Sequence, residues 1–91
     1  MIKILTTKTY EKQLQKFKKQ HPDLKNQYAK TIELLEQNPY HPSLRLHKLQ
    51  GNLQEYYSVR LNMKYRILLD FIIQDDQIIL LNIGSYDNLY R

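Results

Sequence analysis

The sequence predicts an α+β fold of order β-α-α-β-β-β-β: an N-terminal strand, an antiparallel helix hairpin, then four strands of a largely antiparallel sheet. Two periodicities and a length carry that expectation. Apolar residues recur every three or four positions from Tyr10 to Leu35, the spacing of a helix stripe. From Leu44 to Leu61 they alternate in steps of two, the spacing of strands with one wet face. A chain of 91 residues suits one domain with a modest core, read as residues 1–91, and no repeat, linker or low-complexity stretch divides it.

Ile2, Ile4 and Leu5 form a first short strand that ends at Thr6-Thr7. A threonine there caps a helix whose stripe is Tyr10, Leu14 and Phe17, with Lys8, Lys12, Lys16, Lys18 and Lys19 filling a solvated face. His21-Pro22-Asp23 interrupts it, and Pro22 suits the first turn of a second helix striped by Leu24, Tyr28, Ile32 and Leu35. That helix runs to about Asn38 and Pro39 stops it; His21 and His41 fall in the punctuation as loop residues. The later strands are expected over Leu44 to Leu49, Glu55 to Leu61, Lys64 to Ile73 and Gln77 to Ile83. Asp75-Asp76 turns the last pair, whose apolar density marks central strands. Gly51 fits a turn requiring positive φ, and Gly84 comes where the last strand gives way to the tail from Ser85 to Arg91.

With 42% hydrophobic and 25% charged residues the chain is of ordinary globular composition. It has no cysteine, which removes disulfides and thiolate metal sites and suits a reducing cytoplasm. Its first apolar run is too short for a signal peptide, and no segment nears the roughly 20 apolar residues of a membrane span. A soluble intracellular protein is the expectation. The net charge of +5 favours an anionic partner, nucleic acid or an acidic protein. Three scattered histidines and singly spaced carboxylates make no metal site, and neither a Gly-rich phosphate loop nor a Ser–His–Asp arrangement occurs, so no cofactor is expected.

If the apolar members of the Leu44–Arg66 stretch face a core, then Arg45, His47, Ser58 and Arg60 face the other way. A three-residue loop at Asn62-Met63-Lys64 pairs Leu61 with Tyr65 and sets Arg60 directly across from Arg66. Like charges so placed repel, which makes an intervening anion such as phosphate a natural ligand for the two guanidinium forks. Pairing of each arginine with Glu55 or Asp70, or a register one residue away, would serve as well. Counting back from a two-residue turn at Asp75-Asp76 pairs Arg66 with Ser85 and brings Tyr86 near the arginines, provided no bulge intervenes. His47 is the one histidine inside a patterned strand; imidazole as a chemical group can exchange protons under cytoplasmic conditions, so the position suits a general base as well as a plain surface residue. Of eight tyrosines, Tyr10, Tyr28, Tyr57 and Tyr65 sit at apolar-face positions; Tyr56, Tyr86 and Tyr90 are better placed to touch a ligand.

The run HPSLRLHKLQGNLQEYYSVRLNMKYRILL, followed by IILLNIGSYDNLYR, resembles the RelE/ParE superfamily of bacterial type II toxin–antitoxin toxins over nearly the whole chain. The shared features are Leu-x-Gly-x-Leu, a Tyr-Ser-x-Arg strand, a Tyr-Arg-Ile strand and a closing Gly-x-[His/Tyr]-x-x-x-Tyr. The resemblance implies a cognate antitoxin and one of two activities. RelE-, YoeB- and YafQ-like members cut mRNA in the ribosomal A site, whereas ParE-like members inhibit DNA gyrase; a degenerate member binding only its antitoxin is a third possibility. For the nuclease branch it implies His47 as base, at a position held by glutamate in YoeB-like and histidine in YafQ-like toxins. It implies Arg66 as the phosphate-binding arginine. Arg60 and Tyr86 stand where YafQ-like toxins carry histidines, Tyr90 matches a terminal aromatic, and Lys64 replaces an acidic residue. The expected catalytic set is therefore His47, Arg60, Arg66 and Tyr86, with Arg45, Lys48, Tyr56, Lys64 and Tyr90 along the RNA path and no metal.

Overall fold

Thr7 opens the first helix as its spacing predicts: its side-chain oxygen accepts the backbone N–H of Tyr10 at 3.0 Å, satisfying one of the donors a helix start leaves over. The computed structural model describes residues 1–49, 56–72 and 75–89, with the backbone alone at 72 and 86. Strand β1 (Lys3–Thr6) leads into α1 (Lys8–Gln20), a single 3-10 turn at Pro22–Leu24, and α2 (Lys25–Gln37). A second 3-10 turn at Pro42–Leu44 precedes β2 (His47–Lys48), β3 (Tyr57–Arg60), β4 (Tyr65–Ile72), β5 (Gln77–Ser85) and a short helix α3 (Tyr86–Leu89). No helix among the described residues is long and apolar enough to cross a membrane.

The five strands form one sheet in the order β1-β5-β4-β3-β2. Neighbours are antiparallel except β1, which returns parallel beside β5. The apolar-dense strands β4 and β5 are therefore interior. The helices cover one face, where Tyr10, Phe17 and Leu35 meet Val59, Leu61, Ile67, Leu69, Ile78, Leu80 and Ile83. Burying each such aliphatic side chain contributes about 1.5–3 kcal/mol, which makes this layer the main source of stability. A smaller apolar group, Leu49, Leu68 and Leu89 with Tyr56 and Leu81, lies outside that core.

A bulge in β5 sets what stands beside Arg66. Leu69 pairs with Leu80 but Leu68 pairs with Asn82, so Leu81 is an extra residue. The shift explains why core residues run Ile78, Leu80 and then Ile83. The β4–β5 hairpin is also wider than a two-residue turn, since Ile72 pairs with Gln77. Together these displace the register by one from the sequence count: Arg66 lies across from Gly84, and Ser85 across from Tyr65. Two further boundaries are corrected. The second strand is limited to His47–Lys48, because Leu44 closes a 3-10 turn whose cap is the His41 ring, its Nδ1 accepting from the Ser43 backbone N–H at 3.2 Å. The expected tail beyond Gly84 instead continues β5 to Ser85 and begins α3. Gly51 lies outside the described residues.

A candidate phosphate site on the sheet

The hairpin between β3 and β4 turns where Asn62 makes it turn. Asn62 Oδ1 accepts the backbone N–H groups of Lys64 (2.9 Å) and Tyr65 (2.8 Å), an Asx-type closure, and Leu61 N–H donates to the Tyr65 carbonyl at 2.9 Å. This is the three-residue loop expected from the sequence, and Arg60 pairs directly with Arg66. Such partners share a face with Cβ atoms about 4.5–5.5 Å apart. The two guanidinium stems therefore leave the sheet side by side.

Arg66 is held in place by neutral oxygens. Its Nε donates to Ser58 Oγ at 3.0 Å and its Nη2 to the Arg45 carbonyl at 2.9 Å. Ser58 is fully buried, so its hydroxyl is a fixed post. Arg45 presents its carbonyl from a left-handed backbone conformation, φ 48° and ψ 52°, at the end of the 3-10 turn. A guanidinium has five N–H donors, so Arg66 keeps the rest for a ligand. No carboxylate among the described residues pairs with Arg45, Arg60 or Arg66; the Asp70 alternative is thus not realised, and Glu55 lies outside the described residues. Arg45, Arg60, Lys64 and Arg66 line a cleft of about 260 Å³ together with Asn62 and Met63. Arginines and a lysine, with no acid, form that wall, an arrangement suited to a phosphate anion and to the extra charge of its transition state.

The register distributes the other candidates. His47 pairs with Ser58, which places it on the arginine face, exposed, one strand away from the post that holds Arg66. Lys48 pairs with Tyr57 and is turned to the helix-bearing face, away from the cleft. Tyr56 is half-buried against Leu49, Leu68 and Leu89. Tyr86 opens α3, but its side chain, like all of Tyr90, falls outside the described residues. Among the described residues no group of three or more histidines, cysteines or acids could hold a metal ion.

Sequence reasoning put Ser58 on the right face without giving it a role. The signal was a serine set among Tyr57, Val59 and the alternating apolar residues, where only a partner justifies a buried hydroxyl. It gave no sign of the Arg45 carbonyl, which any residue type could supply.

A family model described as "Bacterial toxin of type II toxin-antitoxin system, YafQ" matches residues 2–91. Comparison with curated protein sequences gave no match. The fold is similar to that of YafQ from E. coli strain BL21(DE3), with a TM-score of 0.81 at 18% identity over 100% of both chains. It is similar also to a metal-bound toxin from Helicobacter pylori, with a TM-score of 0.75 at 27% identity over 98% of this chain and 99% of that one. The toxin of an E. coli DinJ–YafQ complex matches with a TM-score of 0.79 at 17% identity, again over 100% of both chains. A match across all but the first residue, on a fold whose β3–β4 hairpin carries the expected arginines, makes the chain a member of the YafQ family of type II toxin–antitoxin toxins within the RelE/ParE superfamily.

Proposed function

We propose that this toxin is a metal-independent endoribonuclease that cuts mRNA in the ribosomal A site. The observation that carries the reading is the cross-strand pair of Arg60 and Arg66, with Arg66 pre-oriented by Ser58 and the Arg45 carbonyl and unpaired with any described acid. Two facing cations are costly unless something anionic joins them.

His47 removes the proton from a ribose 2′-OH, and the freed oxygen attacks the adjacent phosphorus. The bond to the 5′ oxygen then breaks to leave a 2′,3′-cyclic phosphate. Arg60 and Arg66 bind the nonbridging oxygens as charge accumulates. Tyr86 delivers a proton to the departing 5′ oxygen, and Arg45 and Lys64 steady the flanking strand, with Tyr56 and Tyr90 farther along it; Lys48, on the opposite face of the sheet, takes no part. The cytoplasm is the compartment where such a substrate is met. The complexes of related toxins with DinJ and YefM support a cognate antitoxin as the second partner.

The test is primer extension on an mRNA in a reconstituted translation reaction, comparing wild type, His47→Ala and Arg66→Ala, with a ribosome-free control. New 5′ ends that require ribosomes and fade in both variants are expected. Absence of cleavage by folded, antitoxin-free protein refutes the nuclease; a DNA gyrase supercoiling assay then separates a ParE-like inhibitor from a protein that only binds its antitoxin.

A further inference from the structure

A second cleft, of about 480 Å³, opens between the C-terminal half of α1, the ends of β4 and β5, and α3. Its walls carry Lys16, Lys64 and His21 and no carboxylate, which favours an anionic ligand. They also carry aromatic rings. The His21 and Tyr65 rings lie 4.6 Å apart, tilted by 52°, and Phe17 backs both at 4.6 and 5.1 Å. His21 and Tyr65 are only half-buried, and Lys64 Nζ stands 5.5 Å from the Tyr65 ring centroid, so a planar group entering here meets a ring edge and a cation together. Amides complete the lining: Gln13 and Asn88 among them. Gln13 Oε1 is buried without any hydrogen-bond partner. An unmet carbonyl costs about 1–3 kcal/mol, and the terminal torsion of a glutamine is soft, so a ligand donor can draw that amide round.

Cations, stacking surface and uncommitted amides in a volume of ligand size are what a nucleotide requires. Lys64 lines this cleft and the arginine cleft alike, so the two are neighbours on one path. We propose that the cleft is a nucleotide subsite taking the residue of an RNA strand next to the phosphate held by Arg60 and Arg66. Its base lies against His21 and Tyr65, its phosphate between Lys16 and Lys64, and Gln13 and Asn88 read its edge. The proposal rests on the reading of the arginine cleft as an RNA phosphate site, and it makes Gln13 and Asn88 determinants of sequence preference.

The test is a backbone amide NMR titration of the folded protein with an uncleavable 2′-O-methyl trinucleotide, with inorganic phosphate in a parallel arm. The trinucleotide should shift Arg45 and Arg60 on one side and Tyr65, Ser85 and Asn88 on the other; phosphate alone should leave Ser85 and Asn88 unmoved. Lys16→Ala/His21→Ala should weaken binding about tenfold, the loss of one stacked base, and abolish the shifts at Tyr65, Ser85 and Asn88 while leaving those at Arg45 and Arg60. Because His21 packs on Phe17, Lys16→Glu is the second variant: Lys16 is exposed, and its charge reversal should act in the same direction without touching the core. Shifts confined to the arginine side, with both variants binding as wild type, overturn the subsite and leave the proposed function standing. Equal shifts with phosphate alone reduce it to an anion site and overturn it as well. No shift in either cleft overturns both readings.

Discussion

Ser58→Ala tests whether the arginine site is built or accidental. The substitution removes the Oγ that accepts from Arg66 Nε at 3.0 Å and leaves the bond from Nη2 to the Arg45 carbonyl. A free arginine side chain carries about 2 kcal/mol of rotamer entropy, so losing one of two anchors makes RNA binding pay up to that amount. At 1.4 kcal/mol per decade the weakening reaches at most about thirtyfold. Arg66→Ala removes the charge-assisted bonds themselves, at about 1.5–3 kcal/mol, or roughly ten- to hundredfold. If Ser58 acts only through Arg66, then Ser58→Ala/Arg66→Ala binds no worse than Arg66→Ala. The assay is fluorescence anisotropy with a labelled 2′-O-methyl oligonucleotide at fixed salt, with circular dichroism confirming that each variant is folded. Additive losses in the double variant would refute the positioning role, because residues that act independently sum and those that share a partner do not.

Three further outcomes are expected. Arg60→Gln keeps the side-chain stem but removes one of two facing charges, so Tm should rise by a few degrees at low salt, corresponding to about 0.2–1 kcal/mol; the gain should vanish near 1 M salt in the same melts, where screening acts within about 3 Å. Arg45→Gly relieves a left-handed backbone costing about 1–2 kcal/mol, less about 0.5–1 for glycine's extra freedom. Its unfolding midpoint should rise slightly, while the logarithmic salt slope of RNA binding drops by about 0.7 for one lost cation. Tyr10 and Tyr28 share a hydroxyl–hydroxyl bond of 2.8 Å, and burial pushes both phenols above their ordinary value of 10. A raised phenol binds its proton more tightly folded than unfolded, so this stability is whole below pH 10 and falls by up to about 1.4 kcal/mol per pH unit for each phenol above it. Urea unfolding from pH 8 to 11 should show that slope, and Tyr10→Phe should shallow it.

Local signals carried the first half of the chain. Thr7 and Pro39 fall where helix physics puts a cap and a stop, whereas Pro22 opens a 3-10 turn of its own and the second helix begins at Lys25; the apolar stripes are the ones packed on the sheet. The Arg60–Arg66 pairing was legible because Asn62 closes a loop of only three residues, bounded by Leu61 and Tyr65, the arginines' strand neighbours. The Arg66–Ser85 count failed over a longer reach. Ile78 through Leu81 are all apolar, so no break in alternation betrays the extra Leu81, and the wide hairpin displaces the count again. Leu44 is buried whether it ends a turn or begins a strand, so burial could not separate the two. Helix α3 has four residues, too few to display a period. Lys48 looked like a neighbour of His47 because it is one in sequence; on a strand, that puts it on the other face.

Where this chain breaks local rules is itself informative. It sets two arginines across from each other, holds a third in a backbone region that favours glycine, and leaves the Gln13 carbonyl buried without a partner. Each costs stability, and each lines one of two clefts that share Lys64. Among the described residues the other left-handed one outside glycine, Asp76, is different: aspartate tolerates that conformation in a turn, and its carbonyl accepts from Lys3 N–H at 3.0 Å. Drift would scatter such costs over the molecule. Their gathering around two adjoining clefts at one end of the sheet, rather than through the core layer between helices and sheet, is what the proposed anionic strand would require.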